Sequence, residues 1–121
     1  MQNLRYVGNN LFVEKLSIKN ILKKNKTPFY IYSESQIAFN FLKFANTFKK
    51  TGPLICFAAK SNSNLNILRI LGKLGAGADV VSWGELLKAL KAGIRPNKIV
   101  FSGVGKTEEE LKIAINKKIL L

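Results

Sequence analysis

"LICFAAKSNSNLNILRILGKLGAGADVV", residues 54–81, holds the unit on which the fold turns. Its first six residues are apolar without alternation, the pattern of a strand covered on both faces. The run stops at Lys60 and a polar cluster. From about 64 to 74 a helix follows, with Leu65, Leu68, Ile70 and Leu71 on its inner side. Gly72, Gly75 and Gly77 then loosen the chain before "ADVV" opens a second apolar run. Strand, helix and strand in about thirty residues make a compact parallel crossover.

The same alternation extends in both directions. Upstream, "PFYIYS" (28–33) is aromatic and β-branched, which predicts a strand ending near Ser33. A helix follows with Ile37, Phe41, Phe44, Ala45 and Phe48 at spacings of three and four, and Ser33 with Gln36 has the form of its capping box. Downstream, Ser82 with Glu85 starts a helix carrying Leu86, Leu87 and Leu90, which Gly93 and Pro96 stop. "KIVFS" (98–102) is the next strand, Thr107 with Glu110 caps one more helix, and "KKILL" (117–121) opens another strand. Strands therefore fall near 55, 79, 99 and 119, some 20 to 24 residues apart. This rhythm predicts an α/β fold with a parallel sheet and helical crossovers. A closed (β/α)8 barrel and an open doubly wound sheet both fit it. The sequence ends inside an apolar strand with no turn or cap, which reads as a fragment. Residues 1–26 fit the rhythm badly: "LFVEKLSIKNILKKN" offers a short strand and a short helix that would dock elsewhere.

Composition narrows the chemistry. The 121 residues suffice for one modest domain or a piece of one, with 47% hydrophobic content. No window approaches the roughly 18 apolar residues of a membrane span. The N-terminus lacks the basic-then-apolar order of a signal peptide, so a soluble, cytoplasmic protein without a membrane partner is expected. Cys56 is the sole cysteine and histidine is absent, which excludes an intrachain disulfide, a His/Cys metal site and a Ser-His nucleophile; no metal is expected. Twenty basic against 7 acidic residues give +13, a balance that suits a polyanion partner. The basic residues are scattered, however, with Lys23, Lys24 and Lys26, then Lys49 and Lys50, then Lys117 and Lys118 at the ends of periodic segments, where the helix dipole favours them. Only three are arginine, the residue suited to bidentate phosphate contacts. A nucleic-acid partner is not the expectation, and a small basic polyanion-binding protein stands as the alternative of another class.

Three motif matches fail. "GKT" (105–107) lacks the upstream glycine of a phosphate loop, because Val100 stands there, and reads as a helix cap. "GAGADV" (75–80) ends on Val80 and precedes a strand, the wrong order for a dinucleotide fingerprint. No G-x-S-x-G elbow occurs. Lys60 survives the same scrutiny, since it stands at the C-terminal end of a parallel strand, where α/β folds place ligands and catalytic groups. Beside Ile55, Phe57, Ala58 and Ala59, burial would favour its neutral, nucleophilic amine, as a Schiff-base lysine requires. The plain alternative is a lysine marking the strand's exit into solvent. Asp79 interrupts an apolar run where an unpaired carboxylate is costly, so a cation is expected near it, Lys60 or a cofactor; an ordinary hydrogen-bonded residue is the competing reading. Glu85 is explained by its capping position.

"TPFYIYSESQI", "ICFAAKSNSNLNILRILGKLGAGADVVSWGEL" and "KIVFSGVGKTEEEL" together resemble, in order and spacing, the N-terminal part of the pyridoxal-phosphate-dependent diaminopimelate decarboxylases. These belong to the alanine-racemase-like, fold-type III group. The resemblance runs from about Leu11 onward and implies a partial (β/α)8 barrel. Residues 1–32 would pack with a companion β-domain absent from this chain, and 33–121 would form the first part of the cofactor-binding barrel. It implies pyridoxal 5′-phosphate as cofactor, Lys60 as its covalent anchor, and Asp79 and Asn62 as supports of the same site. The implied reaction removes a carboxylate from meso-diaminopimelate to give L-lysine, in lysine biosynthesis, by an enzyme that is a homodimer at full length. Decarboxylases of ornithine, arginine or carboxynorspermidine share the fold, and "FSGVGKT" favours diaminopimelate. Ala59 and Ser61 stand where Val and Ala are commoner, and Trp83 where a small residue is usual. The phosphate-gripping loop, the acid for the pyridine nitrogen, the substrate ligands and the partner's cysteine would lie beyond Leu121, so the isolated chain is expected to be inactive.

Overall fold

In the computed structural model, which describes residues 3–121, the chain divides into two units, Met1–Asn40 and Phe41–Leu121. In the first, β1 (Leu4–Val7), β2 (Asn10–Val13) and β3 (Leu16–Ser17) form an antiparallel meander in that order, followed by α1 (Ile18–Leu22). Val7 pairs with Asn10 across a two-residue turn, and Gly8 sits there at φ 56°, a left-handed conformation open to glycine. The sequence reading expected one strand here and missed the hairpin. Every residue of β1 is exposed, so no buried face imprints an apolar alternation, and the Gly8-Asn9 turn was the one usable signal. "PFYIYS" is corrected in the other direction. It forms no strand, because no neighbouring segment among the described residues offers it a ladder, and Tyr30 is 90% exposed.

α2 (Glu34–Thr47) starts where expected, with Gln36 N–H donating to Ser33 Oγ at 3.1 Å. The reciprocal half of the box is not made, for the Gln36 side chain bonds Asn40 and Asn3 instead. Glu14 takes up the slack. Its Oε1 accepts from the Ser33 hydroxyl at 2.6 Å and from the Ser35 amide and hydroxyl at 3.0 and 2.8 Å. These bonds, that of Ser33 foremost, hold the Glu14 carboxyl below its usual range. An anion at this helix end also suits the dipole.

In the second unit, β4 (Cys56–Ala58), β5 (Gly77–Val80) and β6 (Ile99–Phe101) form a parallel sheet in sequential order, joined through α3 (Leu65–Lys73) and α4 (Trp83–Lys91) and followed by α5 (Glu108–Asn116). A fourth strand position begins beside β6. Val100 and Leu120 form a parallel bridge, with Phe101 N–H donating to Leu120 O at 2.8 Å and Leu120 N–H to Ile99 O at 3.1 Å. All four strand positions read from the spacing are thus occupied.

Strand periodicity sorts the sheet's two faces. Ala78, Val80, Ile99 and Phe101 share one face, and all are buried. They join Leu68 of α3, Leu86 and Ala89 of α4 and Ala114 of α5 in a single core, so the three helices cover the same side. Cys56, Ala58, Gly77, Asp79 and Val100 occupy the opposite face. Among the described residues the three helices leave this face open, and Cys56, Ala58, Asp79 and Val100 on it are half-buried. Gly77 on this face has no room for a side chain. A Cβ there would collide with the Lys98 carbonyl and lie 2.8 Å from Cys56 Sγ.

The helix starts of the second unit follow the sequence, with one variation at α4. Thr107 and Glu110 form the complete reciprocal box. Ser82 caps α4 through the Glu85 amide at 3.3 Å, but the Glu85 carboxylate accepts from Val81 N–H at 2.9 Å, one residue before the cap. Such caps contribute about 1 kcal/mol each. Among the described residues no helix is long and apolar enough to cross a membrane.

Candidate active site

Parallel strands bring their C-terminal ends to one edge, and the sequence-predicted site residues gather there. β4 runs into a 3-10 turn, Ala59–Ser61, that carries Lys60. The Ser61 hydroxyl closes this turn on Ala58 O at 2.7 Å. Asn62 Oδ1 accepts from Asn64 N–H at 3.1 Å, and Asn64 caps α3 through Asn66 N–H at 2.9 Å. Asn62 thus shapes the loop behind Lys60 with its own side chain. From α4, Lys88 Nζ donates to Ser63 Oγ at 2.8 Å and ties the same loop down. Lys60 itself is exposed and has no ion-pair partner, the pair among the described residues being Lys112–Glu108. The burial argued from its apolar neighbours is corrected accordingly. Ala59 takes the buried position, and the turn swings Lys60 out. These residues provide position and access for the amine, and leave desolvation to whatever covers the rim.

Asp79 lies on β5 in register with Ala58 of β4 and Val100 of β6, next to the strand that delivers Lys60. It is half-buried, and its Oδ1 accepts from Ser102 Oγ at 2.5 Å. A hydroxyl, not the Lys60 cation, is the partner that Asp79 has among the described residues. Ser102 was not legible as a site residue beforehand, although its place directly after the strand "IVF" was. Trp83, the first residue of α4, is half-buried and packs on the core at this edge. Lys106 lies with Nζ 5.1 Å from the centre of the Phe101 ring and donates to Gly103 O, bracing the β6–α5 loop. No group of three His, Cys, Asp or Glu suited to a metal occurs among the described residues.

Cys56 sits at the opposite end of the same sheet face. Burial first, and the Asp79 charge second, push its thiol up, with Lys98 opposing. In the folded protein its alkylation by iodoacetamide at pH 8 is expected to be slower than that of the unfolded chain, and still accelerating above the ordinary thiol range. With the folded value raised, stability falls as pH climbs through that range, because the unfolded thiol ionises first. Equal alkylation rates in native protein and in urea would contradict this.

The chain matches the family model "Pyridoxal-dependent decarboxylase, pyridoxal binding domain" over residues 34–121. It is 46% identical over 118 residues to a diaminopimelate decarboxylase of Aquifex aeolicus, covering 98% of this chain and 28% of that protein. It is 51% identical over 102 residues to one from Helicobacter pylori, covering 84% and 25%. The crystal structure of Helicobacter pylori diaminopimelate decarboxylase complexed with L-lysine superimposes with a TM-score of 0.81 at 48% identity, covering 85% of this chain and 26% of that one. The chain thus spans about a quarter of the length of the curated relatives it matches. With a family model matching residues 34–121, most of its length, this chain belongs to the pyridoxal-dependent decarboxylase family, over its pyridoxal-binding domain.

Proposed function

We propose that this chain is the N-terminal part of a diaminopimelate decarboxylase and carries the lysine that anchors pyridoxal 5′-phosphate. The carrying observation is Lys60, an accessible amine at the C-terminal edge of a parallel sheet, in a chain matched over nearly its whole length by such enzymes. The residues present suit the cofactor. Lys60 offers an amine for its aldehyde, Asp79 keeps Oδ2 without a protein partner among the described residues, and the small side chains of Ala58 and Gly77 leave that sheet face low.

In this reading the Lys60 amine, presented by the 3-10 turn after β4, would hold the cofactor. Asp79, held by Ser102, would offer its carboxylate from the strand next to the one that delivers Lys60, and Asn62 keeps the supporting loop in shape. When bound, pyridoxal phosphate supplies the electron sink for the pair left by departing carbon dioxide.

The sheet reads as the opening strands of a (β/α)8 barrel. Helices on one face only, sequential strand order and a fourth strand position beside β6 support closure over a doubly wound sheet, which places helices on both faces. Residues 1–32 would dock on a β-domain outside this chain, and the full-length enzyme would be a cytoplasmic homodimer with neither a nucleic-acid nor a membrane partner. The phosphate grip and substrate ligands fall to the rest of that protein. Product analysis tests the substrate. The full-length protein with pyridoxal phosphate should release carbon dioxide and L-lysine from meso-diaminopimelate, whereas turnover of ornithine or arginine in its place would overturn the assignment.

A further inference from the structure

We infer that Ser102 is a positioning residue for Asp79, a tether that engages one carboxylate oxygen and leaves Oδ2 for the groups bound beside Lys60; this rests on the reading of Lys60 and Asp79 above. The bond is short, Ser102 Oγ to Asp79 Oδ1 at 2.5 Å, and Ser102 lies two residues past Val100, the cross-strand neighbour of Asp79. Strand periodicity therefore brings the hydroxyl to the same face as the carboxylate.

Its backbone and that of the next residue, Gly103, are both held. Ser102 N–H donates to Val80 O at 3.0 Å, next to Asp79 itself. Gly103 packs so closely on Val81 that a Cβ would collide with the Val81 carbonyl oxygen and lie 3.0 Å from Val81 Cα. Lys106 Nζ donates to Gly103 O. Gly103 is buried although it lies in a loop, so the close approach is part of the packing. Ser102 is exposed at the strand end, and its hydroxyl is directed by this backbone and by the carboxylate it donates to. A carboxylate otherwise turns about a broad, two-fold torsion, and here one donor selects its orientation.

The test uses the full-length holoenzyme with Ser102→Ala, Ser102→Thr and Asp79→Ala, reading kcat, KM, melting temperature and the visible absorption of the bound cofactor. Ser102→Ala should lower kcat about tenfold, the scale of one hydrogen bond to a charged group, with KM within about twofold and an unchanged melting temperature. Its cofactor absorption should shift in the same sense as that of Asp79→Ala, and Ser102→Thr should restore both signals. Wild-type spectrum and kcat in Ser102→Ala beside an altered Asp79→Ala would overturn the inference alone. An Asp79→Ala enzyme identical to wild type would overturn it together with the Asp79 reading. Equal losses in the alanine and threonine variants, with lowered melting temperatures, would reduce Ser102 to packing and also overturn it.

Discussion

Replacing Lys60 by alanine is expected to lower decarboxylation by the full-length protein by at least about a thousandfold, the order of loss when a covalent catalytic group is removed. The fold should survive, because Lys60 is exposed and carries no ion pair among the described residues. Surface changes of that kind shift stability by only about 0.5 kcal/mol. Lys60→Arg should be as inactive as alanine, since a guanidinium keeps the charge but offers no neutral amine. Circular dichroism and melting separate this outcome from misfolding. Substantial turnover by the alanine variant would remove Lys60 from the chemistry.

Phe101→Ala should have the largest effect on stability, about 3 to 5 kcal/mol, measured as a fall in the denaturant midpoint of the full-length protein. Phe101 is 1% exposed and stands among the largest fully buried side chains, on the face where β6 meets the helices. Its ring also faces the Lys106 ammonium, so truncation would empty a core site and release the brace on the β6–α5 loop together. The variant should therefore lose cofactor affinity beyond what its stability explains. A midpoint within error of wild type would contradict the packing described for this core.

The parallel α/β part was legible because its signals are local and repeated. The capping pairs at Ser82 and Thr107, the apolar runs at 55, 79, 99 and 119 and the glycines between them all mark the same units, and the parallel sheet follows them. Ile67 and Ala89 show what periodicity alone loses. Both are buried, yet neither was read as inner, since a short helix against a twisted sheet buries a broader stripe than one row of leucines suggests. The N-terminal meander was poorly legible for the opposite reason, as its strands bury little and pair over a few residues. At the site, Lys60 and Asp79 stood out because each interrupts an apolar run. Ser102 did not, because a serine after a strand is commonplace and its partner lies 23 residues away in the sequence. Of the readings open for Asp79, the hydrogen-bonded one is filled by Ser102, which is the partner its carboxylate has among the described residues.

The central claim is that Lys60 is the cofactor's anchor, and borohydride reduction tests it most directly. The full-length protein, loaded with pyridoxal phosphate and reduced, should yield on peptide mapping a phosphopyridoxyl group on Lys60 within "ICFAAKSNSN" (55–64). A label on another lysine, with Lys60 unmodified in a protein that binds the cofactor, would contradict the account.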